Sequence, residues 1–475
     1  MTTAPTVHER VQAARPATWG LPAAPPRASE QAVWFMGKLC LLGFLAAQFL
    51  SLTRQFWSPR LGAGILGSAT VAGIASVALL LPASAIYGLR ADGLLGNLVD
   101  GARLWVVLIL GLSLLLFFYG WLMKGYRFNP VVHDLCPYLV IVGAVVLGSM
   151  SRVFADLDRP LLALLLAALV VNALGMTQIA DVVSEIEAED RAGVAIVAYR
   201  TQGALAFWPL LFLTARLRRP LAAFLIYSTV FFVLAQQILF QKRAPSVRVL
   251  LVVAVFLFVL PRLVRPRSRE GGRSSVTFAS AGALALVVSL TAAPWLFEGQ
   301  LAGLMRRLSG HAYEGGAAGM LTYENERFFE AGMFLRTLEP EELLLGRGFG
   351  GYFIPPVEGW GTLMDDLGVV ARRQLHVGGL MPLFKGGLAL FVVYFAGLAG
   401  ALVRGRRFLA EPVAAAAFFV LVIHALSLTL EGWFIMSSSF DMLMVGLCMG
   451  HLLSRERDAG ERWPLAGRAL GRPAA

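Results

Sequence analysis

Charged residues are scarce in this sequence. Asp, Glu, Lys and Arg together make up 15% of its 475 residues, whereas 57% are hydrophobic, and the mean hydropathy is +0.69. Soluble globular domains carry about 25% charged residues, so this composition excludes an ordinary soluble domain. It predicts a polytopic membrane protein.

Cysteine is also rare, and its spacing indicates neither a disulfide framework nor a zinc site. Cys40, Cys136 and Cys448 all fall in or beside apolar runs, so we expect them to face lipid or the protein core. The long polar loop lacks a spaced pair of aspartates for a metal ion, because Asp365 and Asp366 are adjacent. The sequence therefore predicts no metal and no cofactor.

Acidic residues are outnumbered, with 30 Asp and Glu against 41 Lys and Arg, which gives a formal net charge of +11. Such an excess can indicate a nucleic-acid partner. Here, however, the arginines gather in short clusters at the ends of apolar runs, where the positive-inside rule alone would place them. We therefore expect membrane lipid, and no nucleic acid, as a partner.

Apolar runs, by contrast, are abundant, and each has about the twenty residues that cross a bilayer core of about 30 Å. They predict an all-α polytopic membrane protein with about twelve transmembrane helices. Glycines inside the runs, such as Gly73, Gly143 and Gly148, predict close helix packing. The approximate bounds are 33–53, 62–88, 103–123, 134–150, 159–177, 201–217, 220–240, 246–264, 275–296, 378–402, 411–430 and 434–453.

Clusters of arginine follow the sixth, eighth, tenth and twelfth runs, for example Arg404, Arg406 and Arg407 after the tenth. Threading twelve helices places these clusters on one side, which the positive-inside rule identifies as the cytoplasm. Both termini then lie in the cytoplasm, and the longest polar interval lies outside. The predicted organisation is a disordered basic tail over 1–31, helices 1–9 over 32–296, a large, partly helical external loop over 297–376, helices 10–12 over 377–453 and a cytoplasmic tail over 454–475.

Several basic residues nevertheless fall on the external side. Arg200 lies at the mouth of the sixth helix, and Lys242 and Arg243 lie in the turn after the seventh. Guanidinium groups bind phosphate bidentately and stay charged at physiological pH. Their convergence at one face predicts a polyanionic substrate.

In the second half of the external loop, the sequence predicts a helix over residues 322–345 that is interrupted at Pro340. The glycine-rich turn Gly346–Gly351 follows it. This turn lacks the preceding strand and the following Lys-Ser/Thr of a nucleotide-binding loop. We therefore expect it to turn the chain back toward the membrane.

Titratable side chains near the ends of the last predicted helices suggest a reaction centre. His376, with Arg372 close by in sequence, precedes the tenth helix and can take a proton from an alcohol near neutral pH. His424, Ser427 and Glu431 share one face of the eleventh helix near its outer end. Ionisable groups at membrane depth are candidates for function.

The order of these features resembles the bacterial O-antigen ligase and polymerase superfamily over about residues 195–400. Arg200-Thr-Gln-Gly203 resembles the Arg-x-x-Gly that follows an external segment in that family. Lys242-Arg243 is similar to its Ser-Arg turn, with Lys in place of Ser. Arg327 followed by Gly346-Arg-Gly-Phe-Gly350 resembles its arginine, helix and Gly-x-Gly-x-Gly in the large loop.

The end of the loop adds a fourth piece to this resemblance. His376 followed by Gly387 is similar to the family's His-Asn-x9-Gly at the start of the next helix, although Val377 replaces the Asn. Leu390 occupies a position where the family has glycine or a polar residue. The resemblance thus covers the middle of the chain and departs at Lys242, Val377 and Leu390.

The resemblance implies a GT-C-like glycosyltransferase in the bacterial inner membrane, acting on undecaprenyl-diphosphate-linked glycan at the periplasmic face. It implies inverting, metal-independent transfer, with Arg200, Arg243, Arg327 and Arg372 binding the diphosphate. His376 is the implied general base, so that His376 and Arg327 are the predicted catalytic residues. A flippase and a chain-length regulator are further expected partners.

Within this superfamily, Val377 favours an O-antigen or exopolysaccharide polymerase, and the alternative is an O-antigen ligase that transfers glycan to lipid A core. Lys242 and Glu431 are further candidates for substrate contact. A transporter of lipid-linked glycans also suits twelve helices, but it predicts repeated halves and charged or broken helices near the midplane. A receptor or scaffold would need no histidine and arginines converging at one mouth.

Overall fold

The computed structural model places several of the predicted apolar helices and much of the second half of the long loop that is predicted to be external. Within the described residues the chain is mostly helical. Those residues are 28–52, 69–90, 94–150, 329–354, 362–364, 369–375, 377–409, 411–430 and 439–454, with isolated helical positions at 160, 163 and 167. The helices are α1 (Ala28–Leu52), α2 (Ala69–Arg90), α3 (Asp100–Phe118), α4 (Phe128–Gly148), α5 (Pro340–Leu345), α6 (Met381–Gly405), α7 (Pro412–Leu430) and α8 (Ser439–Leu452).

Three helical stretches in this part of the chain are long and apolar enough to cross a membrane: Asp100–Met123, Phe128–Gly148 and Gly378–Phe408. The first joins α3 to a π-helical turn, Tyr119–Met123, and the third joins α6 to the 3-10 turns on either side of it. Shorter apolar helices lie within α1, α2, α7 and α8. These helices are those of a membrane-embedded protein, as predicted. The total of twelve stays a prediction, because most of the predicted fifth to ninth runs lie outside the described residues.

The helix α4 begins at Phe128, earlier than the predicted start near residue 134. The polar pair His133 and Asp134 makes this stretch look like a connection in the sequence. In the structure Asp134 is buried, with its Oδ2 2.7 Å from Lys385 Nζ. The helix therefore includes this charged residue instead of beginning after it. Periodicity alone could not place this boundary because the partner lies on another helix.

Helix ends that are predicted to lie on the same side of the membrane meet at one end of the bundle. Leu98, before α3, forms a β-bridge with Ser454, after α8. Ser454 Oγ donates to the Ser149 carbonyl at 2.7 Å, and Arg404 Nε donates to the Leu452 carbonyl at 2.9 Å. The alternation of helix directions is therefore consistent for α3, α4, α6 and α8. Which side of a membrane this end faces stays a prediction.

Glycines allow the helices to pack closely, as the sequence predicted for Gly143 and Gly148. A Cβ at Gly143 would lie 3.2 Å from the side chains of Leu80 and Ser84 on α2, and one at Gly148 would overlap the backbone of Leu447 on α8. Gly450 on α8 approaches the backbone of α4 in the same way. Apolar helices in lipid gain little from hydrophobic burial against one another, so such close backbone approach is a main source of packing energy.

The described part of the predicted external loop is partly helical, as expected, and it also contains a short hairpin. Residues 329–336 are helical, and α5 begins at Pro340 with a capping box between Glu339 and Glu342, so the predicted interruption at Pro340 is confirmed. The strands β1 (Thr362–Met364) and β2 (Val369–Ala371) pair antiparallel. An all-α prediction misses this hairpin because strands of three residues are too short for a period-two pattern to be recognised.

Candidate functional site

Within the described residues, the backbone of α6 is broken near its start. Gly387 has φ 60° and ψ −163° inside this helix, a region that only glycine adopts readily. Gly346, at the end of α5, has nearly the same backbone angles, φ 66° and ψ −162°. The two glycines face each other, since a Cβ on Gly346 would lie 2.6 Å from the amide nitrogen of Gly387.

The glycine-rich turn Gly346–Gly351 supplies the hydrogen bonds that the broken helix lacks. The backbone N–H of Arg347 donates to the Phe384 carbonyl, and that of Gly348 donates to the Lys385 carbonyl, each at 3.0 Å. Exposed backbone groups are costly at membrane depth, so a helix can break there only where protein or water satisfies them. The turn is therefore packed into the bundle, as part of the fold, rather than held open as a ligand loop.

The same turn also packs against the end of α3 and against α4. Gly120, in the π-helical turn, has no side chain at the point where the Phe349 carbonyl approaches. The Phe349 ring stacks on Tyr138 of α4 with the ring centroids 5.4 Å apart, and Phe349 is fully buried. The turn thus contacts three helices, and its expected return toward the membrane stays a prediction.

A buried ion pair lies directly beneath the turn. Lys385 Nζ and Asp134 Oδ2 are 2.7 Å apart, and their side chains are 0% and 7% exposed. Both groups also hold the turn itself, because Gly350 N–H donates to Asp134 Oδ2 and Lys385 Nζ donates to the Gly351 carbonyl, each at 2.7 Å. The ammonium nitrogen lies 4.7 Å from the centroid of the Phe384 ring.

This pair was not predicted from the sequence, although the sequence contains a signal for it. Lys385 stands alone among apolar residues in the tenth predicted run, and Asp134 stands at the start of the fourth. Ionisable residues at membrane depth are rare and usually paired, so each of the two residues required a partner. The structure also gives His133 a neighbour, because its Nδ1 lies 3.7 Å from Asp134 Oδ1.

Arg347, the arginine inside the glycine-rich turn, is used to hold the loop together. Its guanidinium donates to Glu342 Oε2 at 3.1 Å, to the Tyr352 carbonyl at 2.9 Å and to the Thr337 carbonyl at 2.7 Å. The side chain is 12% exposed. With these acceptors in place, Arg347 has little capacity left for a phosphate.

A tyrosine before α4 lies beside this network. The rings of Tyr126 and Tyr352 have centroids 5.8 Å apart. Burial, with a smaller contribution from the Glu342 carboxylate, raises the pKa of the Tyr126 phenol to about 12. Tyr126 is therefore a neutral side chain at physiological pH and adds no negative charge to this end of the bundle.

Arg372, predicted to bind the diphosphate, lies within the described residues. Its Nη1 forms an ion pair with Glu330 Oε1, and Glu330 is 1% exposed while the arginine side chain is 21% exposed. The backbone of Arg372 exchanges hydrogen bonds with Phe353, at 2.8 and 2.9 Å. The ion pair thus connects the stretch that follows Arg327 in sequence to the stretch that precedes His376.

Aromatic packing fixes the same part of the loop to α6. The rings of Phe334, Phe353 and Phe384 form a cluster with centroids 5.1 to 6.0 Å apart, and all three are buried. Phe353 is the residue that exchanges backbone hydrogen bonds with Arg372. The position of Arg372 is therefore set by the contact between the loop and the bundle.

The other predicted site residues lie outside the described residues, and their roles stay predictions. They are Arg200, Lys242, Arg243, Arg327, His376 and Glu431. On the eleventh predicted helix, His424 and Ser427 are buried, and His424 Nε2 is 2.7 Å from the Tyr394 hydroxyl of α6. These two side chains lie inside the bundle rather than at an open mouth.

Within the described residues, no three His, Cys, Asp or Glu side chains are placed to hold a metal ion. A comparison with the models of known protein families found no match, and neither did a search of curated proteins. The chemistry of the site therefore has to follow from its residues.

Proposed function

We propose that this protein polymerises undecaprenyl-diphosphate-linked oligosaccharide repeat units into O-antigen or exopolysaccharide at the periplasmic face of the inner membrane. The observation that supports this most is the Arg372–Glu330 ion pair. It joins the two stretches of loop next to Arg327 and His376, the predicted catalytic residues, at the end of the bundle where the glycine turn packs.

The reaction would replace one bond to the anomeric carbon by another. The acceptor hydroxyl attacks this carbon and gives its proton to His376, while the bond from the carbon to the diphosphate oxygen breaks and the configuration inverts. The leaving undecaprenyl diphosphate gains negative charge, which Arg200, Arg243, Arg327 and Arg372 would stabilise. Fixed cations near a low-dielectric boundary act more strongly than in water.

A lipid-linked substrate also suits the depth at which the loop is anchored. The diphosphate of such a substrate lies at the membrane surface, with the glycan in water and the lipid in the bilayer. The buried contacts of Phe349 and Phe353 hold the loop at one end of apolar helices rather than free in solvent. A loop fixed at that level can present arginines to the diphosphate.

The ligase alternative differs in the acceptor, which would be a sugar of the lipid A core. A transporter of lipid-linked glycan is the candidate from another class, because such proteins have broken helices and charged residues inside the bundle, as α6 has. The break, however, lies about two turns from the start of the helix, and the glycine turn fills it. A transport site would need an open break near the midplane.

Three alanine variants in a host that lacks its own copy of this protein test the proposal. Arg327→Ala and His376→Ala remove predicted catalytic groups, and Arg336→Ala removes an exposed arginine from the same loop as a control. Glycan chain length in the envelope is measured, with the membrane level of each variant checked in parallel. We expect single repeat units on lipid A core in the first two variants and long chains in the control.

Two other results would change the conclusion. Long chains that accumulate on undecaprenyl diphosphate, without transfer to lipid A core, would identify a ligase. Unchanged glycans in both Arg327→Ala and His376→Ala would exclude the catalytic assignment and favour transport or scaffolding.

A further inference from the structure

We propose that the buried Lys385–Asp134 ion pair is a positioning device that holds the external loop, and with it Arg372, against the broken start of α6. The proposal rests on the proposed function for what the loop does, but the contacts that support it are independent of any substrate. They belong to three separate segments: α4, α6 and the glycine turn.

Both charged groups of the pair bind each other and the backbone of the glycine turn. Asp134 Oδ2 accepts from Lys385 Nζ and from Gly350 N–H, and Lys385 Nζ also donates to the Gly351 carbonyl, each at 2.7 Å. Lys385 is fully buried. A lysine with these surroundings cannot reach a substrate at the surface, so its role is to position other groups.

The position of Arg372 depends on the position of the glycine turn. Gly351 is two residues from Phe353, which exchanges two backbone hydrogen bonds with Arg372. Phe353 in turn packs on Phe384, the residue next to Lys385 in α6, with the ring centroids 5.9 Å apart. A shift of the glycine turn away from α6 would therefore carry Arg372 with it.

The energetics of a buried ion pair distinguish single from double substitutions. Removing one member of such a pair leaves an uncompensated charge and is strongly destabilising, whereas replacing both members by neutral groups is often tolerated. Lys385→Met and Asp134→Asn should therefore each release the turn. The double variant should hold it, because the amide introduced by Asp134→Asn keeps an oxygen that can accept from Gly350 N–H.

The release of the loop can be measured without any glycan. Ala371, next to Arg372, is fully buried, so an Ala371→Cys variant reports on docking through its reaction with a maleimide. The background would carry Cys40→Ala, Cys136→Ala and Cys448→Ala. Arg336→Cys, at an exposed position of the same loop, serves as a control that should react at one rate in every variant. The protein is purified in detergent so that both faces are open to the reagent.

We expect Lys385→Met and Asp134→Asn each to raise the labelling rate at position 371 on the order of a hundredfold and to shorten the glycan chains in cells. The double variant should return both readouts close to the parent. If the single variants do not accumulate in the membrane, the double variant carries the test. A double variant that accumulates, stays protected at position 371 and makes long chains supports the proposal, and no recovery would refute it.

Two outcomes would overturn the positioning role. Labelling of Ala371→Cys that stays at the parent rate in both single variants would show that the pair does not hold the loop. A double variant that is protected from maleimide but makes no long chains would show that a charge acts on the substrate itself. If instead labelling follows the expectation while Arg327→Ala leaves glycans unchanged, the positioning role stands and the proposed function fails.

Discussion

The contact between Gly387 and the end of α5 permits a sharp test, the substitution Gly387→Ala. A non-glycine residue in the backbone region of Gly387 costs about 1–3 kcal/mol. The new methyl group would also overlap the carbonyl of Leu344, which is backbone and cannot rotate away. To remove this overlap, α5 and the glycine turn have to move away from α6.

That retreat has its own cost. It would break the hydrogen bonds from Arg347 N–H to the Phe384 carbonyl and from Gly348 N–H to the Lys385 carbonyl, both 3.0 Å long. Each contributes about 1 kcal/mol net. Together with the backbone strain, the expected loss is about 3–5 kcal/mol.

Gly400→Ala is the matched control, because it makes the same change on the same helix. Gly400 lies in α6 with no described atom within 4 Å of the place that an added methyl group would take, and Gly to Ala within a helix stabilises by about 0.5–1 kcal/mol. Thermal unfolding of both variants in detergent, with membrane levels, is the assay. Equal melting temperatures for Gly387→Ala and Gly400→Ala would refute the inference that the break is filled by the glycine turn.

Two further substitutions test other parts of the fold. Arg347→Ala should lower the free energy of unfolding by about 3 kcal/mol, because it leaves Glu342 without its guanidinium partner. The control Arg336→Ala, at an exposed position, should stay within about 0.5 kcal/mol of the parent. Similar melting temperatures for the two variants would contradict the structural role of Arg347. Gly450→Ala should lower the free energy of unfolding by about 1–3 kcal/mol, since the added methyl group would overlap the backbone of α4. The control Gly111→Ala, where no described atom lies within 4 Å of the added methyl group, should not destabilise the protein. A Gly450→Ala variant as stable as the parent would show that α4 and α8 are packed less closely.

The helical character of the chain and its place in a membrane could be predicted from sequence. Backbone groups in hydrocarbon must be satisfied within a segment, so a run of about twenty apolar residues has essentially one solution. The interruption at Pro340 was predictable for a local reason as well, because proline lacks an N–H and suits the first turn of a new helix. The glycines of α4 indicated close packing, although their partners on α2 and α8 could not be named.

The candidate site was predictable only in part. The sequence placed Arg372 in the long polar loop, but its pairing with Glu330 depends on how the loop folds back. The glycines of Gly346–Gly351 indicated a turn, and nothing in them indicated that Gly387 would adopt matching backbone angles on another helix. The start of α4 was misplaced because the burial of Asp134 depends on Lys385.

Sequence by itself determined the elements that local physics can specify: apolar helices, their breaks at proline and the alternation of their ends. Tertiary structure alone decided how the loop is held. Asp134 and Gly350, whose hydrogen bond anchors the glycine turn, are 216 residues apart. A buried charge requires a compensating partner, but only the packing of α4, α6 and the turn specifies which residue that partner is.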